Sequence, residues 1–110
     1  MEWRFRQGVL LSHRLPTGER QVVDGATRMD VRYQEACLVV ELDGVRDHTD
    51  WSRDMLRDNK RLLDDGALTL RYGWNAVVGQ PCAVAAQVAT ALVSRGWAGR
   101  VGHCRHCRQD

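Results

Sequence analysis

The chain has 110 residues, 16 of them basic and 14 acidic, for a formal net charge of +2. That length supports one hydrophobic core rather than two, and so slight a charge does not by itself identify a nucleic-acid binder. No apolar run approaches the roughly eighteen residues of a membrane span, and Glu2, Arg4 and Arg6 interrupt any signal-peptide core, so a cytoplasmic protein with no membrane partner is expected.

Trp3, Phe5, Val9 and Leu10 recur at near-helical spacing before Pro16-Thr-Gly18, which predicts a helix over residues 2 to 13. A short extended piece, Gln21 to Val23, precedes the turn Asp24-Gly25. Two runs rich in Val, Leu, Met and Tyr follow, Arg28-Met-Asp-Val-Arg-Tyr33 and Cys37-Leu-Val-Val-Glu-Leu-Asp-Gly44, and the two-residue link Gln34-Glu35 predicts an antiparallel hairpin. From Thr49 the period changes. Trp51, Met55, Leu62 and Leu63 form a helical stripe expected to face the core, Thr49 or Asp50 can cap it, and Gly66 ends it. Ala67 to Tyr72 alternates as a fourth strand, and a loop through Gly73-Trp74 and Gly79-Gln-Pro81 leads to a last helix with Val84, Val88, Ala91, Leu92 and Trp97 on its buried side. The fold class is α/β (α+β), in the order αβββαβα. One domain is expected over residues 1–97, with a polar Cys/His tail over 98–110.

The hairpin sets acids into strands that otherwise look like core. With Tyr33 opposite Ala36, Asp30 falls opposite Val39, and period-two alternation gathers Asp30, Glu41 and Asp43 on one face. Two like charges about 4 Å apart repel by roughly 4 kcal/mol at an effective dielectric near 20, so converging carboxylates need a cation or raised pKa values. A divalent metal such as Mg²⁺ or Mn²⁺ satisfies that need. Three surface acids on a half-exposed strand, paired with Arg28 and Arg32, satisfy it equally.

Fifteen of the sixteen basic residues are Arg. Arg53, Arg57 and Arg61 recur every fourth residue on the middle helix, each three residues after an Asp, a pattern that fits a salt-bridged face; Arg57 is the candidate phosphate contact. Trp74 is either a lid on the core or a platform for stacking on a base. Cys104 and Cys107 have the spacing of half a zinc knuckle, to which His103 or His106 could add a nitrogen and Cys82 a third sulfur if the tail folds back, so structural Zn²⁺ is a second metal expectation.

The order of elements, with an acid on the first helix, Asp30 on the second strand and Glu41 on the third, resembles the restriction-endonuclease-like superfamily and its PD-(D/E)xK site. A closer resemblance is to uncharacterised bacterial proteins related to very-short-patch-repair endonucleases. It is carried by Glu2-Trp-Arg-Phe5, Leu15-Pro16, Gly18-Glu-Arg-Gln21, Val40-Glu-Leu-Asp-Gly44, Arg53-Asp-Met-Leu-Arg-Asp-Asn59, Leu68-Thr-Leu-Arg-Tyr-Gly-Trp74 and Gln80-Pro-Cys-Ala-Val-Ala85, and it runs from Glu2 to about Trp97.

That resemblance implies a metal-dependent endonuclease that hydrolyses DNA phosphodiester bonds in repair or restriction, with Asp30 and Glu41 as metal ligands. Asp43 stands where the superfamily usually has Lys and the repair branch a histidine, and His48 matches that branch's second histidine. Asp43 would then be a metal ligand or general base, His48 an acid-base group, Asp54 the residue that orients His48, and Glu2 an auxiliary acid from the first helix. Replacing Asp30 by Ala is expected to abolish cleavage without lowering stability. The missing Lys leaves a second class open, a catalytically decayed nuclease-fold module that binds nucleic acid or forms part of a defence or toxin-antitoxin protein.

Overall fold

Phe5, Val9 and Leu10 are buried against the sheet and fix the entry of the chain. In the computed structural model, which describes residues 1–24, 27–43 and 51–107, the first helical segment starts as α1 (Glu2–Arg4), widens to a π-helix over Phe5–Leu10 and tightens to a 3₁₀ turn over Leu11–His13. The expected helix is therefore present with a changing pitch. The Ser12 hydroxyl donates to the Gln7 carbonyl five residues back at 2.6 Å, which suits the wider turn. Arg14, left-handed at φ 58°, ends the segment, and the Leu15 amide closes it onto the Leu10 carbonyl at 2.8 Å.

Strands β1 (Glu19–Asp24), β2 (Thr27–Tyr33), β3 (Leu38–Asp43) and β4 (Leu68–Gly73) form one mixed sheet in the order β1-β2-β3-β4. The first two pairings are antiparallel; β3 and β4 are parallel, joined by a crossover containing helix α2 (Trp51–Asp65). The molecule is thus an α+β fold with a four-stranded mixed sheet flanked by helices. Gly18, at φ 66°, lets the chain enter β1 where any Cβ would lie 2.9 Å from the Arg32 carbonyl oxygen.

The hairpin register differs from the expected one. Tyr33 pairs with Leu38 and Val31 with Val40, so four residues, Gln34 to Cys37, make the turn, with Cys37 at φ 48°. A slip of one residue would have exchanged the faces of β3 relative to β2; the observed slip of two keeps the expected parity, and Glu41 and Asp43, two residues apart on one strand, share a face in either register. Beyond Val31 the Asp30 carboxylate accepts the Leu42 amide at 2.8 Å, in place of a backbone partner. On the other side the registered pairs of β1 and β2 pass over Gln21, at φ 51°, and Asp30. Asp30 therefore marks a local break in both ladders.

One face of the sheet presents Val31, Tyr33, Leu38, Val40 and Tyr72 to the first helical segment and to α4 (Pro81–Ser94), whose Val84, Ala85, Val88 and Leu92 fill the core. Pro81 opens α4 at a position where no amide hydrogen is needed. Each buried Val or Leu contributes about 1.5–3 kcal/mol. Phe5 and Tyr72 stack with ring centroids 6.5 Å apart. The Tyr33 hydroxyl donates to the Pro16 carbonyl and that of Tyr72 to Gln87; burial raises both phenols, Tyr72 to about 12. The expected loop after β4 is instead a short helix, α3 (Trp74–Gly79), because Val77 has a place in the core and the Gln80 amide closes onto Ala76.

Helix α2 reverses its expected polarity. Its apolar residues Met55, Leu56, Leu62 and Leu63 are exposed, Leu63 at 83%, while Asp54, Arg57, Asp58 and Arg61 face the sheet. A helical period states which residues share a side, not which side is inward, and here a buried acid on β3 decides the matter.

Candidate functional site

Alternation along β3 sends Val39, Glu41 and Asp43 to the face that α2 covers, and the parallel register sets Arg71 beside Glu41. Glu41 is 5% exposed. Its Oε1 accepts from Arg61 at 2.8 Å, and its Oε2 accepts from Arg57 at 2.7 Å and Arg71 at 2.8 Å. Arg71 also donates to both oxygens of Asp43, at 3.1 and 2.8 Å, to Asp58 at 2.9 Å and to Asp54 at 3.2 Å. Burial opposes the charge on Arg71, but its bonds to Asp43 and Asp58 outweigh that and hold the guanidinium above its ordinary range.

These four carboxylates and three guanidiniums leave one net negative charge. The counter-charge expected for the strand acids is therefore present, for Glu41 and Asp43, as the arginines of α2 and β4. Arg32 pairs with Glu19 at 3.1 Å, and Arg28 lies where side chains are not described.

The expected gathering of Asp30, Glu41 and Asp43 around a cation is corrected by this geometry. Asp30 turns to the Leu42 amide and borders a crevice of about 10 Å³ beside Glu2 and Phe5, whereas Glu41 and Asp43 reach toward α2. Glu2 accepts from the Gln21 side chain at 2.8 Å. The crevice has room for about one water. Mg²⁺ demands an octahedron of oxygens and keeps several waters, and three guanidiniums on Glu41 repel a dication, so these residues as placed do not fit Mg²⁺ or Mn²⁺.

Asp54 pairs with Arg71 and, at 3.7 Å, with Arg57. His48, which it was expected to orient, lies outside the described residues. Arg57, the candidate phosphate contact, is held by Glu41 at 2.7 Å. Trp74 is the first residue of α3, 38% exposed and outside the core cluster.

A second cluster joins distant parts of the chain. His13, Cys82, Cys104 and Cys107 offer ligand atoms within 4.8 Å of one another, the only group among the described residues that could hold a metal. The nitrogen in this group is that of His13 rather than His103 or His106, both of which are exposed. The Gly102 amide donates to the His13 carbonyl at 2.6 Å and brings the tail back to the first helical segment. A hydrogen bond with Cys107 and then desolvation push the Cys82 thiol up to about 12. Beside the cluster, Arg14, Arg100 and His103 line a groove of about 590 Å³.

Comparison with family models, curated proteins and solved structures finds no match. Sequence reasoning missed Arg71 and His13 in the two clusters and Arg14 and Arg100 in the groove. Arg71 had a legible signal, a basic residue two places after Thr69 in a strand run otherwise built of Leu and Tyr. His13 had only its position four residues after the apolar Val9, which places both on one side of a helix.

Proposed function

We propose that this chain is a nuclease-fold module that binds DNA without hydrolysing it, through the basic groove at the folded-back tail. One observation carries the reading: Arg14, Arg100 and His103 are exposed and line one groove, Arg105 and His106 are exposed further along the same tail, and among the described residues no carboxylate pairs with any of them. Guanidiniums with no acid to satisfy them are suited to phosphate oxygens. A formal charge of +2 understates this groove, because acids elsewhere, such as those that hold Arg57, Arg61 and Arg71 around Glu41, offset it in the count.

The test is binding of a fluorescent DNA duplex followed by anisotropy against salt concentration. Arg100→Gln and Arg14→Asn, the latter chosen because Asn tolerates the left-handed backbone at that position, should each weaken binding and lower the salt slope by about 1. Unchanged affinity in both variants would reject the groove.

The competing outcome of the test is metal-dependent phosphodiester hydrolysis, for which Asp30 would have to leave the Leu42 amide. It requires Arg57, Arg61 and Arg71 to release Glu41. Nicking of supercoiled DNA with Mg²⁺ or Mn²⁺, lost in Asp30→Asn, would establish it over the binding-only reading.

A further inference from the structure

We infer that His13, Cys82, Cys104 and Cys107 bind a structural zinc ion that fastens the tail to the first helical segment and to α4. The sulfurs lie 3.5 Å (Cys82–Cys104), 3.6 Å (Cys104–Cys107) and 3.2 Å (Cys82–Cys107) apart. A disulfide would bring two of them to about 2.05 Å. Thiolates about 2.3 Å from a tetrahedral zinc lie roughly 3.8 Å apart, so the pairs need to open by about 0.2 to 0.6 Å.

The imidazole is set for the fourth corner. Nδ1 of His13 lies 2.8 Å from the Val9 carbonyl, which can only accept, so the proton is on Nδ1 and the lone pair on Nε2. That Nε2 is buried, in a residue with no solvent exposure, and has no hydrogen-bond partner. A ring whose far nitrogen is anchored to a backbone carbonyl while the near one lacks a partner beside three thiols is the arrangement of a metal-bound histidine.

The tail is built as a knuckle around its two cysteines. The Cys107 amide closes the turn on the Cys104 carbonyl at 3.1 Å, the His106 amide donates to Cys104 Sγ at 3.3 Å, and the Cys104 amide donates to Cys107 Sγ at 3.4 Å. Amide hydrogens aimed at sulfur stabilise thiolates. Gly102 permits the approach, because a Cβ there would meet Arg14 and the His13 carbonyl at 3.0 to 3.1 Å.

Three sulfurs and one imidazole are the borderline-soft donor set that selects zinc, and four protein ligands leave no open position for water or substrate, so the role is structural. Binding releases three thiol protons to solvent. The resulting centre, Zn²⁺ with three thiolates and a neutral imidazole, carries one net negative charge beside the basic groove.

The test is metal analysis of the full chain purified with a thiol reductant and without chelator. One zinc per chain is expected, and replacement by Co²⁺ should give a sulfur-to-metal charge-transfer band with the visible bands of a tetrahedral site. Cys107→Ser should lower the bound zinc well below one per chain, His103→Ala and His106→Ala should leave it at one, and His13→Cys should keep the metal with a shifted Co²⁺ spectrum. A folded wild-type chain that takes up neither metal, or that carries a disulfide among these cysteines under reductant, overturns the inference, as does loss of zinc on removing His103 or His106. If Cys107→Ser or His13→Cys fails to fold, the wild-type stoichiometry and Co²⁺ spectrum together with the His103 and His106 variants still decide the outcome. None of these readouts involves DNA, so failure of the zinc centre and failure of DNA binding are told apart.

Discussion

Replacing Glu41 by Gln distinguishes an arginine-locked carboxylate from a metal ligand by the sign of its effect. Glu41 accepts three guanidinium hydrogen bonds at 2.7 to 2.8 Å. A hydrogen bond to a charged group contributes about 1.5–3 kcal/mol, and removing one partner of a buried ionic network costs about 3–5 kcal/mol. Gln keeps one acceptor oxygen but turns an amide donor toward guanidinium donors, which places the expected loss near 3 kcal/mol. In a domain of this size each kcal/mol moves Tm by roughly 4 °C, so a fall of about 12 °C is expected, measured by circular dichroism with and without Mg²⁺. A carboxylate held among other carboxylates for a metal behaves oppositely: neutralising it relieves repulsion and raises the Tm of the metal-free protein. An unchanged or higher Tm in Glu41→Gln, or a wild-type Tm that rises with Mg²⁺ and does so no longer in the variant, would refute the arginine lock. Asp64→Asn, which disturbs only an exposed pair with Lys60, is the control and should leave Tm unchanged.

Asp30→Ala should lower stability by about 1–3 kcal/mol in urea titration, because the Leu42 amide loses its acceptor; a neutral result would restore the expectation that Asp30 serves only chemistry. Gly18→Ala should cost more than about 1 kcal/mol, since strain at positive φ adds to the approach of the Arg32 carbonyl. Both tyrosines keep their protons beyond the ordinary phenol range, so the folded chain holds protons that the unfolded one has lost. Stability on this account is complete below pH about 10 and falls toward about 12, and phenolate absorbance should rise together with unfolding. Appearance of phenolate near pH 10 in protein whose circular dichroism is still native would contradict it.

The elements were legible where period and punctuation agreed. Pro81 followed by the stripe Val84, Val88, Leu92 gave α4 and its buried side, and alternation put Glu41 and Asp43 on one face even though the turn was two residues longer than expected. Local signals do not fix what an element faces. The stripe Met55, Leu62, Leu63 predicted the wrong inward side for α2, because the choice rests on Glu41 and Arg71, residues on two different strands. Asp30 could be assigned to β2 but not to the Leu42 amide, since a carboxylate that stands in for a missing ladder bond leaves no periodic trace. The cysteine spacing announced half of the second cluster; its histidine comes from 91 positions upstream of Cys104, beyond the reach of any motif.

The reversed face of α2 has a mechanical consequence. The α4 side of the sheet is sealed by oil-like contacts that salt strengthens, whereas α2 is moored by charge and so loosens as ionic strength rises, to the extent that water reaches the pairs. Amide hydrogen exchange in concentrated chloride should accordingly quicken along α2 while α4 stays slow, making this helix the part of the molecule that lets go first.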